Sequence, residues 1–198
     1  MVKVKLFDFQ EKVQAHNLKV FTPSEFQRLM GVQRKAAQEL LGRYVRKGAV
    51  LKLRNKFYAT SFNLPSPYLI ANKIYQPSYV SFEAALSYHG IIPETVYEVA
   101  SATTKATREF RVGETVFSYH RIKESAYTGY SPTGVGGDVI LMAEPEKALV
   151  DYLYFVHLGR KVLNDRLSLR NIDGRKASSY SRLFRKKGFA RFVEDVVC

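Results

Sequence analysis

One run of the chain, TPSEFQRLMGVQRKAAQELLGRYVRKGAVLKLRNKFYAT at 22–60, strings helix-start, helix-stop and hairpin signals together so closely that few folds accommodate it. Thr22 can cap a helix whose first turn holds Pro23, and Glu25, three residues on, completes a capping box that pairs two otherwise orphan backbone donors. The helix so started carries Phe26, Leu29 and Met30 on its apolar side and stops at Gly31, which can take the left-handed conformation of a sharp helix–helix turn. A second helix is expected from about Gln33 to Lys47, closed by Lys47-Gly48. Val50-Leu51-Lys52-Leu53 then alternates as a strand, and Arg54-Asn55-Lys56 turns the chain into Phe57-Tyr58-Ala59. Two helices across a tight turn followed by a basic hairpin make the layout of a winged helix-turn-helix, and duplex DNA is the partner it predicts.

Wound at about 100° per residue, the second helix puts Ala37, Leu40, Leu41, Tyr44 and Val45 on one side, as a buried stripe. Its other side carries Lys35, Gln38, Glu39, Gly42, Arg43 and Arg46. The N-terminal part of such a helix enters the major groove, so Gln33, Arg34, Lys35 and Gln38 are the side chains expected at base edges. Gln reads adenine bidentately, and Arg or Lys reads guanine. The cationic hairpin tip, Arg54, Asn55 and Lys56, suits a phosphate or minor-groove contact. Thr22, Ser24, Arg43, Arg46 and Lys52 complete the candidate DNA-binding set.

Basic residues alone do not decide this, because solvated helices are often Lys/Arg-rich and winged helices also dock proteins or RNA. The distribution of charge favours DNA. Residues 1–60 hold 13 Lys/Arg against 4 Asp/Glu, residues 61–159 hold 7 against 10, and residues 160–198 hold 11 against 4. Positive charge is gathered at both ends and withheld from the middle, as specific surfaces require and general solubility does not.

A chain of 198 residues, 46% apolar and 13% aromatic, allows one large domain or two small ones with packed cores. No stretch approaches about 18 apolar residues, and MVKVKLFDFQ lacks the apolar region of a secretory signal, so a cytoplasmic protein is expected. A single cysteine, Cys198, leaves no intramolecular disulfide and no cysteine-built zinc site.

A helix from about Phe7 to His16, with Phe7, Phe9, Val13 and Leu6 as its stripe, precedes the capping box and gives the two helices something to pack on. Turn formers at Ser61-Phe62-Asn63-Leu64-Pro65-Ser66-Pro67 place the boundary, giving a DNA-binding domain at 1–62 and a second domain at 63–198. In the latter, helices are expected at Pro67–Ile74 and Phe82–Tyr88, the second capped by Ser81 and stopped by Gly90. Strands are expected at Tyr97–Ala100, Arg108–Val112, Thr115–Tyr119 and Val139–Met142, with a loop at Tyr130–Gly137. A helix starting at Ala143-Glu144-Pro145-Glu146 and apolar on most sides over Ala148–Leu158 should cross the sheet as a core element. From about 160 the tail reads as helical and basic. The expected class is α+β: a winged helix-turn-helix, then a mixed α/β domain with a small, mainly antiparallel sheet and a helical C-terminus.

The winged helix, then Tyr79-Val80-Ser81-Phe82-Glu83-Ala84-Ala85-Leu86-Ser87-Tyr88-His89-Gly90, then Ala143-Glu144-Pro145-Glu146-Lys147-Ala148-Leu149-Val150-Asp151-Tyr152-Leu153-Tyr154, resembles the AbiEi-family antitoxins of type IV toxin-antitoxin systems. These are also described as transcriptional regulators of viral defence systems. The resemblance runs from about Leu18 to near Leu158, and more loosely over the basic tail; the two later motifs are specific in combination and order. It implies an N-terminal domain that binds inverted repeats in the promoter of its own operon and represses it, two copies occupying the two half-sites. It also implies a C-terminal domain that counters a nucleotidyltransferase-like toxin without forming a stable complex with it.

Packing accounts for most of both motifs. Phe82, Ala85, Leu86 and His89 recur at helical spacing, and His89 reads as a satisfied, partly buried histidine. Glu146 near a helix start favours the macrodipole, and Lys147 with Asp151 at i, i+4 reads as a surface pair. No catalytic, metal or cofactor site is expected: His16, His89, His120 and His157 are scattered, and Gly134-Val135-Gly136-Gly137 lacks the Lys-Ser/Thr of a phosphate-binding loop. Asp138 stands beside those glycines without the Gly-Ser start and paired acids of a nucleotidyltransferase. A second candidate surface, for nucleic acid or a partner, is Arg182, Arg185, Lys186, Lys187 and Arg191, interleaved with Leu183, Phe184, Phe189, Phe192 and Val193.

Overall fold

The computed structural model describes residues 6–197; Cys198 and the first five residues, on which the readings of the leader and the single cysteine bear, lie outside them. The chain is mixed α+β, with eight α-helices and two sheets among the described residues. It divides into two compact units, the first running to Ile74 and the second starting at Tyr75. Helix Pro67–Ile74 thus groups with the first unit, some ten residues beyond the boundary drawn from the turn formers at 61–67. Among the described residues, no helix is long and apolar enough to cross a membrane.

The first unit runs α1 (Leu6–Ala15), β1 (Val20–Phe21), α2 (Pro23–Met30), α3 (Arg34–Arg46), β2 (Val50–Arg54), β3 (Phe57–Thr60) and α4 (Pro67–Ile74). Its three strands pair antiparallel in the order β1-β3-β2. The capping box forms: Thr22 Oγ1 accepts from the Glu25 N–H at 3.3 Å, and Glu25 Oε2 accepts from the Thr22 N–H at 2.7 Å. At the far end Gly31 takes φ 66°, closing α2 through backbone hydrogen bonds to Gln27 and Arg28. Phe9 is the hub of the core, its ring centroid 5.4 Å from Phe26, 5.2 Å from Tyr44, 6.0 Å from Phe21 and 5.8 Å from Phe62.

Two expectations fail here for geometric reasons. Phe7 is 62% exposed and not part of the α1 stripe. Two residues of helix turn a side chain by about 200°, so a helix that buries Phe9 and Val13 has to face Phe7 outward. Nor does β2 alternate: Val50 and Leu53 are buried while Leu51 and Lys52 are both exposed. A register shift between Lys52 and Arg54 supplies the extra residue, as a bulge does.

The second unit holds β4 (Ser78–Val80), α5 (Phe82–Tyr88), β5 (Glu98–Thr103), β6 (Arg108–Val112), β7 (Thr115–Arg121), β8 (Tyr130–Val135), β9 (Asp138–Ala143), α6 (Pro145–His157), α7 (Gly174–Leu183) and α8 (Phe189–Val197). Its sheet has six strands in the order β6-β7-β5-β4-β9-β8. It is larger than expected and mixed, since β5–β7 and β4–β9 pair parallel and the other neighbours antiparallel. Two strands account for the difference. β4 is a fully buried three-residue strand with no alternation to read, and the expected loop at Tyr130–Gly137 is strand β8 followed by a turn at Gly136 and Gly137, with φ of 56° and 80°. Pro132 and Gly134 fit β8 because it is the border strand, where a missing N–H disrupts no ladder. The opposite border, β6, keeps Arg108, Glu109 and Arg111 exposed.

α6 is buried over most of its length, from Glu146 to Leu153 and again at Phe155. α7 and α8 pack on its last turns through rings: Tyr154 lies 4.4 Å from Phe184 and 5.3 Å from Phe189, and His157 lies 5.5 Å from both Phe189 and Phe192.

Candidate nucleic-acid interface

The sequence features of 22–60 converge on a cleft of the first unit. Thr22, Pro23, Ser24 and Gln27 line it from the start of α2, Arg34, Ala37 and Gln38 from the first half of α3, and Lys56 from the β2–β3 turn. The cap explains why: Thr22 fixes where α2 begins, Gly31 allows the reversal into α3, and the hairpin brings Lys56 beside both. α3 buries Ala37, Leu40, Leu41 and Tyr44 against the core, which fixes its rotation and leaves Gln33, Arg34, Lys35 and Gln38 exposed. Gln33 occupies the N-cap position of α3, yet its side chain makes no capping hydrogen bond. Its amide therefore keeps its donors and acceptor.

The other candidates are spread around this cleft. Arg43 and Arg46, in the second half of α3, and Lys52, on β2, are exposed and do not line it. Lys35 and Arg46 point almost directly away from the buried stripe, eleven residues being close to three helical turns. Asn55 is exposed at the turn, and Lys56 holds φ 67°, a left-handed conformation that glycine or asparagine usually supplies. Arg54 is engaged within the unit: its Nη1 donates to the Ile74 carbonyl at 2.9 Å, at the end of α4, and its guanidinium lies 5.5 Å from the Phe57 ring centroid. A cation there meets the negative end of the helix, so Arg54 braces the hairpin. Gln27 was not among the sequence candidates; it stands one turn after Ser24, and that spacing was available to find it.

The two later motifs come together in the core of the second unit. Asp151 accepts from Tyr79 Oη at 2.9 Å and from Ser81 Oγ at 2.7 Å, and pairs with Lys147 through its other oxygen. Lys147 and Asp151 are both 0% exposed, so the expected surface pair is a buried one. The reason is that α6 is enclosed on every side, and position i, i+4 says that two side chains meet without saying where. Burial pulls the Lys147 ammonium below its usual range against the opposing pull of Asp151, and pushes the Tyr79 phenol well up. Ser81 stands at the N-cap position of α5 but makes no side-chain cap; its hydroxyl serves Asp151. Glu146 is also buried and is held by Lys176 at 3.0 Å. His89 Nε2 meets the Ala143 carbonyl at 2.8 Å, which ties α5 to the end of β9. Tyr79, Ser81, Lys147 and Asp151 are all fully buried.

Of the tail candidates, Arg182 is held by Glu194 at 3.5 Å. Arg185, Lys186 and Lys187 form the turn between α7 and α8, and Arg191 lies in the first turn of α8; all four are exposed. Comparison with protein-family models and with curated proteins found no match for the chain.

Proposed function

We propose that the first unit is a winged helix-turn-helix that binds duplex DNA, and that the chain is an autorepressing antitoxin of the type IV kind. The observation that carries the DNA reading is the cleft in which the starts of α2 and α3 and the hairpin tip meet, with Gln33, Arg34, Lys35 and Gln38 open to a duplex. α3 would lie in the major groove with Arg34 and Lys35 against guanine and Gln33 and Gln38 against adenine. Ser24 and Lys56, at the cleft wall, would hold adjacent phosphates, Thr22 would set the start of α2 with its hydroxyl and N–H both donated to Glu25, and Arg43, Arg46 and Lys52 would follow the backbone further out. The antitoxin half of the proposal rests on the resemblance of the two later motifs, whose buried network gives the second unit a rigid core and leaves its action to its surface.

A gel shift of the full chain on DNA from upstream of its own gene, beside a scrambled duplex, tests the first half. Charge reversal at Arg34 and Lys35 is expected to abolish the preference for the upstream DNA, and Lys52→Gln with Lys56→Gln to weaken binding to both. Sequence preference that survives the reversal refutes the groove assignment. Rescue of growth in cells expressing a nucleotidyltransferase-like protein encoded beside this gene tests the second half; toxicity unchanged by co-expression refutes it.

A further inference from the structure

The second unit has its own cluster of cations without acidic partners, flanked by the Arg182–Glu194 pair. Lys147, Lys161, Arg166, Lys176 and Arg182 each meet a carboxylate. Arg185, Lys186, Lys187 and Arg191 have no acidic partner for their side chains among the described residues. These four fall within seven residues of chain at the α7–α8 turn, and Lys123, from the loop after β7, joins them by donating from Nζ to the Arg185 carbonyl at 3.2 Å.

This turn is built rather than loose. Ser125 Oγ donates to the Leu183 carbonyl at 2.7 Å, so the 123–125 loop grips the turn at two points. Phe184 and Phe189, both buried and 5.4 Å apart, anchor either end of it against Tyr154 of α6. Arg185 itself is held at φ 46°, a backbone conformation uncommon for a non-glycine residue. Like charges gathered on a fixed turn repel one another, and a bound polyanion relieves that repulsion.

The absence of apolar surface at the turn identifies the class of anion. Protein interfaces are depleted in Lys and centre on apolar side chains. None of the large exposed apolar residues, which include Val139, Val162 and Leu163, belongs to the turn or to α8. Membrane-surface helices insert an apolar face, whereas α8 spends Phe189 and Val193 on the core. A phosphodiester backbone asks for charge and nothing apolar. We infer that the α7–α8 turn, with Lys123, is a sequence-independent site for the phosphate backbone of nucleic acid, separate from the winged-helix cleft.

The test uses the full chain carrying Arg34→Gln, Lys35→Gln and Lys56→Gln, which lowers the first unit's share and leaves the remainder the same in both arms, with and without Lys186→Gln, Lys187→Gln and Arg191→Gln. Binding to a scrambled duplex and to a hairpin RNA is followed by fluorescence anisotropy as salt is raised. Each lost phosphate contact lowers the slope of log affinity against log salt by about 0.9 on duplex DNA. Three contacts lower it by about 2.7, which shrinks the affinity lost between about 50 and 200 mM salt by roughly fortyfold. A comparable fall on both probes, or on one of them, supports the site and identifies the nucleic acid it prefers. Lys161→Gln with Arg166→Gln, which removes ion-paired cations, should leave the slope within one unit. Unchanged slopes on both probes in the turn variant overturn the inference, as does a turn that holds polyglutamate and neither nucleic acid. Operator preference of the unmodified chain is measured separately, so the cleft and the turn fail independently.

Discussion

Removing Asp151 exposes how the second unit's core is balanced. Asp151→Leu leaves the Lys147 ammonium at 0% exposure without its carboxylate partner, beside the rings of Phe184 and Tyr79 at 4.9 and 5.7 Å. It also takes the acceptor from two hydroxyls, Tyr79 and Ser81. Breaking a buried pair costs about 3–5 kcal/mol, and the upper part of that range is expected because the hydroxyls lose their partner as well. Lys147→Met leaves a carboxylate that still accepts from both hydroxyls, so its cost should sit near about 3 kcal/mol. The double variant holds no unmatched charge, only two unsatisfied hydroxyls, and should cost about 1–3 kcal/mol. It should therefore fall short of the sum of the single variants by at least about 3 kcal/mol. The chain has no Trp and 13 Tyr, so urea unfolding is followed by tyrosine near-ultraviolet circular dichroism, with hydrogen exchange assigning the transition to the second unit. Single variants costing under about 1 kcal/mol, or a double variant equal to the sum, refute the picture of a coupled buried pair.

Gly42 lies in the middle of α3, and a Cβ there would meet only Arg46 Nη1 at 3.7 Å, so Gly42→Ala should stabilise the first unit by about 0.5–1 kcal/mol in thermal melts. Lys56→Gly relieves a left-handed φ of 67° while deleting a cation from the cleft; the variant should melt higher by about 1 kcal/mol of stability yet bind DNA with a salt slope lower by about 0.9. His120 is pulled below the ordinary histidine range by burial first and by Lys161 second. The folded state therefore binds its proton later than the unfolded one. Stability due to His120 is complete above about pH 6.5 and is lost as pH falls from there through the lowered folded value, at up to about 1.4 kcal/mol per pH unit. In His120→Gln, urea unfolding between pH 7 and 5 should lack that component of the slope.

Local chemistry was the legible part. Thr22, Pro23, Glu25 and Gly31 act within a few residues of themselves, and the helices they bound begin and end where the capping box and the left-handed glycine put them. The same holds for β6, whose partner strand begins right after Gly113 and Glu114, while Phe82–Tyr88 has the expected bounds although the Ser81 side chain does not cap it. What depended on the distant chain was hidden. β4 has three residues and belongs to the sheet only because β5 and β9 flank it. Lys147 and Asp151 carry the residue types of a surface pair, and only the enclosure of α6 makes them interior. Arg54 has the composition of a wing tip, but the carbonyl that holds it lies twenty residues on. Lys123 sits sixty-two residues before the carbonyl it grips, a separation that no periodicity bridges.

The two outermost strands of the large sheet set how this protein can associate. A second copy sliding alongside β8 meets Pro132, which offers no donor, and two nearby glycines that hold no side chain to pack. Alongside β6 it meets Arg108, Glu109 and Arg111, whose charges would have to be buried or matched. Strand-to-strand pairing with a second copy is disfavoured at both borders of this sheet, so any association between copies would leave their large sheets unjoined.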